Sequence, residues 1–168
     1  MKLIEFNGKQ YPAFQANGNA SQFAIPYAKH FCYGLGLDIG CNRIDWSYPN
    51  SIPIDIEFNN GFDAYHLPDG EFDYIYSSHC LEHLHDWVMA LDYWISKIKI
   101  GGYIFLYLPD ISQEYWRPWN NKKHKHVFTP EIIKTYFDAH LTNVYVSGID
   151  INNSFMIVGE KYDKTISK

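Results

Sequence analysis

The sequence predicts an α/β fold: a doubly wound, mostly parallel sheet whose last strand is antiparallel and whose first crossover helix is shortened or missing. Three observations carry this. Apolar strand-like runs alternate with helical periodicity from Leu35 to Leu108. The run Gly36-Leu37-Asp38-Ile39-Gly40-Cys41-Asn42 ends in an acidic residue, a glycine and a small-residue turn, as a buried first strand does at the carboxyl edge of an open sheet. Near the end of the chain come two strand-like runs with no helix between them, which implies an antiparallel edge.

The elements follow in order. Leu3 to Phe6 and Gln10-Tyr11 flank Asn7-Gly8 and read as a hairpin, because Asn-Gly suits a type I′ turn. Ser21 to Phe31 reads as a helix, with Pro26 tolerable only near its first turn. Leu35 to Ile39 is the first strand of the sheet, and Ile52 to Ile56 the second, with Asp55 at its end. Only 11 residues separate Gly40 from Ile52, and a helical crossover needs about a dozen. The helix after the glycine turn is therefore expected to be missing or reduced to one turn. The sheet face it would cover then falls to the N-terminal segment, to Trp46 and Tyr48, or to a second copy of the chain. Phe72 to Ser77 is the next strand. Trp87, Leu91, Trp94, Ile95 and Ile98 recur at helical spacing, so Asp86 to Lys99 reads as an amphipathic helix that Gly101-Gly102 stops. Tyr103 to Leu108 is a buried strand. Thr129-Pro130-Glu131 opens another helix, with threonine as cap and proline at the first helical position. Asn143 to Ser147 and Ser154 to Glu160 are the closing strands around Gly148-Ile149-Asp150.

A chain of 168 residues fits one domain with a single core. Its hydrophobic content of 46% and charged content of 20% are those of a soluble globular protein. A net charge of −5 argues against nucleic acid or an anionic membrane as a general partner. No apolar run is long enough to span a bilayer and no charged start precedes an apolar signal region, so a cytoplasmic protein is expected. Cys32, Cys41 and Cys80 form no Cys-x-x-Cys pair and read as buried reduced thiols, with Cys41 serving as a small residue of the turn.

The heptad Gly36 to Asn42 resembles the first motif of the class I S-adenosylmethionine-dependent methyltransferases, whose usual form is Leu-Asp-Ile-Gly-Cys-Gly. Further motifs follow in order. Asp55 lies 15 positions beyond Gly40. An acidic side chain at the end of the second strand accepts two hydrogen bonds from a ribose diol, and the family has one there for that purpose. Asp63-Ala64 and Leu67-Pro68-Asp69-Gly70 resemble the segment in which an aspartate meets the adenine amino group. Phe72 to Leu84 resembles the fourth-strand motif, and Lys99 to Pro109 the fifth strand with its leading Gly-Gly. The resemblance covers about Leu35 to Asp110. It implies S-adenosylmethionine as cofactor, held by Asp38, Gly40, Cys41, Asn42, Asp55, Ile56, Asp63, Ala64, Ser77, Ser78 and His79. The alternative for Asp38 and Asp55 is that of ordinary strand-end polar residues. Asn42 stands where the family has glycine, and asparagine is among the few residues that tolerate a left-handed backbone. One methyltransferase-like domain over residues 1–168 is implied, with a hairpin and helix in 1–32, a cofactor-binding core in 35–110 and acceptor-side elements in 111–168.

Methyl transfer from a sulfonium is an in-line displacement, in which the protein aligns donor and acceptor and excludes water. A base helps to deprotonate an alcohol or amine acceptor. His79, just past the fourth-motif strand, is the first candidate base, against a histidine hydrogen-bonded to backbone; Asp110 is the second. Glu82 and His83 read as braces of a helix start. The segment Trp116 to His126 sits where this fold often builds its acceptor site. Trp116, Arg117, Trp119, His124 and His126 are its candidate acceptor-binding residues, and Lys122, Lys123 and Lys125 add positive charge. That composition suits a small or modest-sized acceptor bearing phosphate or sugar; the alternative is a solvated loop over two packed tryptophans. The expected partners are a small-molecule acceptor and, over the open sheet face, a second copy in a homodimer; membrane and nucleic acid are not expected.

Two competing readings remain open. His79-x-x-Glu82-His83 matches the H-x-x-E-H pattern of inverted zinc peptidases, with Glu82 as base. That pattern wants a long helix carrying both histidines, whereas here it follows a strand and a Ser-Ser turn, so no metal is expected. The shortened crossover favours a non-catalytic methyltransferase fold that binds a ligand or partner.

Overall fold

The glycine-turn strand lies inside the sheet, one position from its edge. A computed structural model describes residues 2–16, 18–163 and 165, so the expected domain limits at residues 1 and 168 fall outside the described residues. Strands β1 (Leu3–Phe6) and β2 (Lys9–Pro12) form an antiparallel hairpin around Asn7-Gly8. Helix α1 (Ser21–Ala28) precedes β3 (Gly36–Ile39) and β4 (Ile52–Ile54). Next come β5 (Phe72–Ser78), α2 (Trp87–Ser96), β6 (Ile98–Pro109), α3 (Pro130–His140), β7 (Thr142–Val146) and β8 (Ser154–Glu160). The larger sheet has the order β4-β3-β5-β6-β8-β7. Strands β4, β3, β5 and β6 are mutually parallel, and β8 is antiparallel to both of its neighbours. This is the doubly wound sheet with an antiparallel closing strand that the sequence predicts.

Strand side chains alternate between two covered faces, as a mostly parallel sheet requires. On one face α2 and α3 bring Leu91, Trp94, Ile133 and Phe137 into a cluster with Leu37, Ile75, Leu106 and Phe155. Both helices have the start that local chemistry dictates. The Asp86 carboxylate accepts from the Met89 N–H at 2.9 Å, and Thr129 caps a helix whose first residue is Pro130. On the other face Ala24 and Ala28 of α1 join Cys32 and Tyr48 over Tyr74, Tyr76, Phe105 and Tyr107. The crossover from β3 to β4 holds only the 3-10 turn Ile44–Trp46, so the missing helix is confirmed. Tyr48 takes its place, with its ring 5.0 Å from that of Tyr76 and its hydroxyl donating to the Cys32 carbonyl at 2.8 Å. The N-terminal helix and Tyr48 thus cover this face from within the chain, while Trp46 stands apart and half-buried.

Three differences from the sequence reading have a clear physical cause. Helix α1 ends at Ala28 rather than Phe31, and Pro26 lies in its second turn rather than its first. Proline has no N–H to return to the Gln22 carbonyl, and the helix ends two residues later. Strand β4 ends at Ile54, so Asp55 caps the short 3-10 turn Ile56–Phe58 instead of closing the strand. Gly101-Gly102 does not stop α2, which ends at Ser96; both glycines lie within β6. Phe72 pairs with Ile98 and Tyr74 with Tyr103, so β6 bulges between these pairs. Gly101 takes φ of 80° there, and a Cβ on Gly102 would lie 2.6 Å from the Asp73 carbonyl.

Candidate active site

A cleft of about 690 Å³ opens at the carboxyl ends of β3, β4 and β5, where open α/β sheets bind ligands and within the usual size of small-molecule sites. Gly40 and Asn42 shape its floor with φ of 82° and 61°. A Cβ on Gly40 would overlap the Cys80 side chain, so no other residue fits. The Asn42 N–H donates to Asp55 Oδ2 at 2.6 Å and the Glu57 N–H to Oδ1 at 3.0 Å. Asp55 thereby ties two loops together and keeps about half of its lone pairs for a ligand. Asp63 Oδ1 accepts from the Tyr65 N–H at 2.7 Å. Burial opposes its ionisation, yet that N–H and His66 hold its carboxyl below the usual range. The Ala64 carbonyl is fixed by Trp94 Nε1 at 2.7 Å.

Gly40, Cys41, Asn42, Asp55, Ile56, Asp63, Ala64, Ser78 and His79 line the cleft. Asp38 and Ser77 lie beneath it. Asp38 is 1% exposed and its Oδ2 accepts from the Tyr48 N–H at 2.6 Å. Burial pushes its pKa up to about 7, with neighbouring Asp55 adding to the rise. The Ser77 hydroxyl donates to the Ile39 carbonyl at 2.8 Å.

The far end of the cleft centres on His79, a non-glycine residue held at φ of 51°. Its N–H donates to the Tyr107 carbonyl at 2.8 Å, its Nε2 lies 3.0 Å from Ser154 Oγ, and its ring meets Trp116 edge-on at 4.8 Å. Burial, with His124 and His83 nearby, lowers its pKa to about 3, and burial lowers that of His124 to about 4. Both imidazoles are neutral at pH 7. Glu82 is 0% exposed, and neither of its carboxylate oxygens has a hydrogen-bond partner. Burial pushes its pKa up to about 7.

Backbone bonds from Lys125 and His126 to the Glu82 carbonyl, at 2.7 and 3.2 Å, stitch the 116–126 loop to the 3-10 turn Leu81–His83. His124 and Trp116 thereby reach the cleft, and Lys123 lines it with them. Arg117, Trp119, His126 and Asp110 do not line it. Arg117 donates to the Ile111 carbonyl at 2.8 Å, with its guanidinium 5.8 Å from the exposed Trp119 ring. His126 Nε2 lies 2.9 Å from the Leu84 carbonyl. Asp110 is 5% exposed and accepts from the Ser112 N–H at 2.8 Å. The α-helix that an inverted zinc peptidase needs is not formed, because His79 is left-handed and only a 3-10 turn spans Leu81–His83.

Sequence reasoning missed several wall residues: Asn19, Ala20 and Ser21 at the start of α1, Glu82 and His83 as cleft groups, and Asn152 and Ser154. The His-x-x-Glu-His pattern was a signal for Glu82 and His83. No local signal marks the others, which tertiary packing brings in.

The model of the methyltransferase domain family matches residues 17–143. The chain belongs to the S-adenosylmethionine-dependent class I methyltransferases. A Thermotoga maritima S-adenosylmethionine-dependent methyltransferase, described as a possible histamine N-methyltransferase, is similar in structure with a TM-score of 0.65 at 18% identity, over 84% of this chain and 89% of that one. The N-methyltransferase NodS of Bradyrhizobium japonicum, in complex with S-adenosylhomocysteine, is similar with a TM-score of 0.57 at 15% identity, over 90% of this chain and 89% of that one. A chain of the Haloferax volcanii complex of the Trm112 methyltransferase activator with a putative methyltransferase reaches 0.64 at 12% identity, over 86% and 89%. No curated protein matches the chain.

This methyltransferase takes S-adenosylmethionine as its cofactor, and the site fits it. Gly40 leaves backbone bare where a Cβ has no room, and Asp55 holds acceptor capacity at the rim. Among the described residues no helix is long and apolar enough to cross a membrane.

Proposed function

We propose that this methyltransferase acts on a small or modest-sized acceptor held between His79, Trp116 and His124. The continuity of the cleft from Gly40 and Asp55 to those three residues carries the reading. S-adenosylmethionine supplies an electrophilic methyl group on a sulfonium. Gly40, Cys41, Asn42, Asp55, Ile56, Asp63 and Ala64 all line the cleft and would hold the cofactor, with the Asp55 carboxylate available to accept from its ribose and Asp63 available to its adenine. Ser78, the last residue of β5, and His79 just beyond it would meet the cofactor there, while Asp38 and Ser77 act from below by holding the Tyr48 N–H and the Ile39 carbonyl. His79, neutral and with Nε2 beside Ser154, accepts a hydrogen bond from the acceptor at Nδ1 and orients it. Trp116 supplies an apolar wall, and Lys123 provides the positive charge for a phosphate-bearing acceptor. The chain works as one domain in the cytoplasm, without nucleic acid as partner.

The test is transfer of a labelled methyl group to a panel of small alcohols and amines, phosphorylated members included. Labelled product is expected from at least one of them, with loss in Asp55→Ala. The reduced crossover favours a second reading, a cofactor-binding module without turnover; cofactor binding with no transfer to any acceptor would select it.

A further inference from the structure

We propose that Glu82, His83 and His124 form a divalent-cation site at the acceptor end of the cleft, contrary to the expectation of no metal. One ligand atom from each lies within 4.8 Å of the other two. Glu82 gives the strongest indication. A carboxylate that is 0% exposed with both oxygens unpartnered is costly unless a cation or donor meets it. His83 has the geometry of a metal-binding histidine. Its Nδ1 lies 2.9 Å from the Lys123 carbonyl, which fixes the proton on Nδ1. Nε2 is left as a lone-pair donor 3.7 Å from Glu82 Oε1. The His124 ring has no hydrogen bond among the described residues, although 41 residues of chain separate it from Glu82 and two backbone bonds hold its loop in place.

Metal–ligand bonds of about 2.0–2.2 Å draw such atoms closer together than they stand. Glu82 and His124 can turn inward, since no side-chain hydrogen bond holds either. His79 Nδ1, 3.7 Å from the same Glu82 oxygen, stands beside the site as a neutral neighbour. Two imidazoles and one carboxylate suit zinc or another first-row transition ion rather than magnesium or calcium. Three protein ligands leave a coordination position facing the cleft. An acceptor oxygen placed there is made more acidic by the cation. That last role rests on the methyl-transfer reading; cation binding itself does not.

Calorimetric titration of chelator-treated protein with zinc chloride tests the proposal. One zinc per chain is expected, with affinity at least about tenfold weaker in Glu82→Gln and in His124→Gln. Circular dichroism checks that each variant is folded, and His124→Gln carries the comparison if Glu82→Gln does not fold. The site is overturned if the wild type takes up no zinc, if folded variants bind it as the wild type does, or if magnesium chloride binds as tightly. A parallel titration of the wild type with S-adenosylhomocysteine separates the two readings. Zinc uptake without that binding supports the metal site and removes the methyl-transfer reading; the reverse result removes the metal site alone.

Discussion

Gly40, Asn42 and Asp38 set the shape of the cleft floor, each for a different physical reason. Gly40 is required by space, because Cys80 occupies the volume of a Cβ. Asn42 is tolerated at positive φ because its short polar side chain strains that conformation least. Asp38 is buried beneath the turn and holds the Tyr48 N–H. Its proton has a consequence for stability. The folded chain keeps that proton up to a pH of about 7, whereas an unfolded aspartate releases it near 3.8. Between those values the unfolded state binds fewer protons, so this residue makes the fold less stable as pH rises through the window. Asp38→Asn keeps the acceptor for Tyr48 and removes the titration. Chemical denaturation of both proteins at pH 4 and pH 8 is expected to show the variant gaining on the wild type at the higher pH, on the order of 1.4 kcal/mol per tenfold difference in proton affinity. An unchanged gap would show that Asp38 does not titrate in this way. His79 belongs to the same scale: its left-handed backbone is strained, and β5, Tyr107 and Ser154 hold it there.

The β3–β4 crossover shows how the place of a missing helix can be filled by a side chain beside a neighbouring helix. Its shortness was legible, because 11 residues cannot carry a helix across the sheet. Which of the candidates fills the gap was not, since Trp46 and Tyr48 are both large and aromatic. Tyr48 points into the face and is 6% exposed, while Trp46 lines the cleft rim and lies 5.1 Å from the Arg43 guanidinium. Thermal or urea denaturation is expected to show Tyr48→Ala losing about 3–5 kcal/mol and Trp46→Ala losing far less; equal losses would contradict this division. The glycine doublet teaches the opposite lesson. Gly-Gly after an amphipathic run reads as a helix stop, but the same two residues also suit a bulge against a neighbouring backbone. Pairing with β5, a non-local fact, decides between them. Pro26 is similar: its local cost is real, yet packing of Ala24 and Ala28 on the sheet keeps α1 helical through it.

Across the molecule, the fold and the cleft lining from Gly40 to Ala64 were legible because both are written in nearby residues. Strands β3 and β4 end in turns that line the cleft, so Gly40, Asn42 and Asp55 stand out in order, and Asp63 follows in the next loop. The acceptor half was legible only in part. Trp116 and His124 reach the cleft, but Arg117, Trp119, His126 and Asp110 lie on the same loop or strand end and face elsewhere. Composition placed the loop, and the stitches to the Glu82 carbonyl decided which side chains turn inward. The start of α1 and Ser154 carry no local mark: packing of α1 on the sheet brings in the first, and the sheet order the second. Calorimetric titration with S-adenosylhomocysteine decides whether the cleft between Gly40 and Asp55 is an S-adenosylmethionine site. Saturable binding to the wild type is expected, weakened by about tenfold or more in folded Asp55→Ala through loss of charge-assisted hydrogen bonds. Absence of binding to the wild type at millimolar ligand would contradict it.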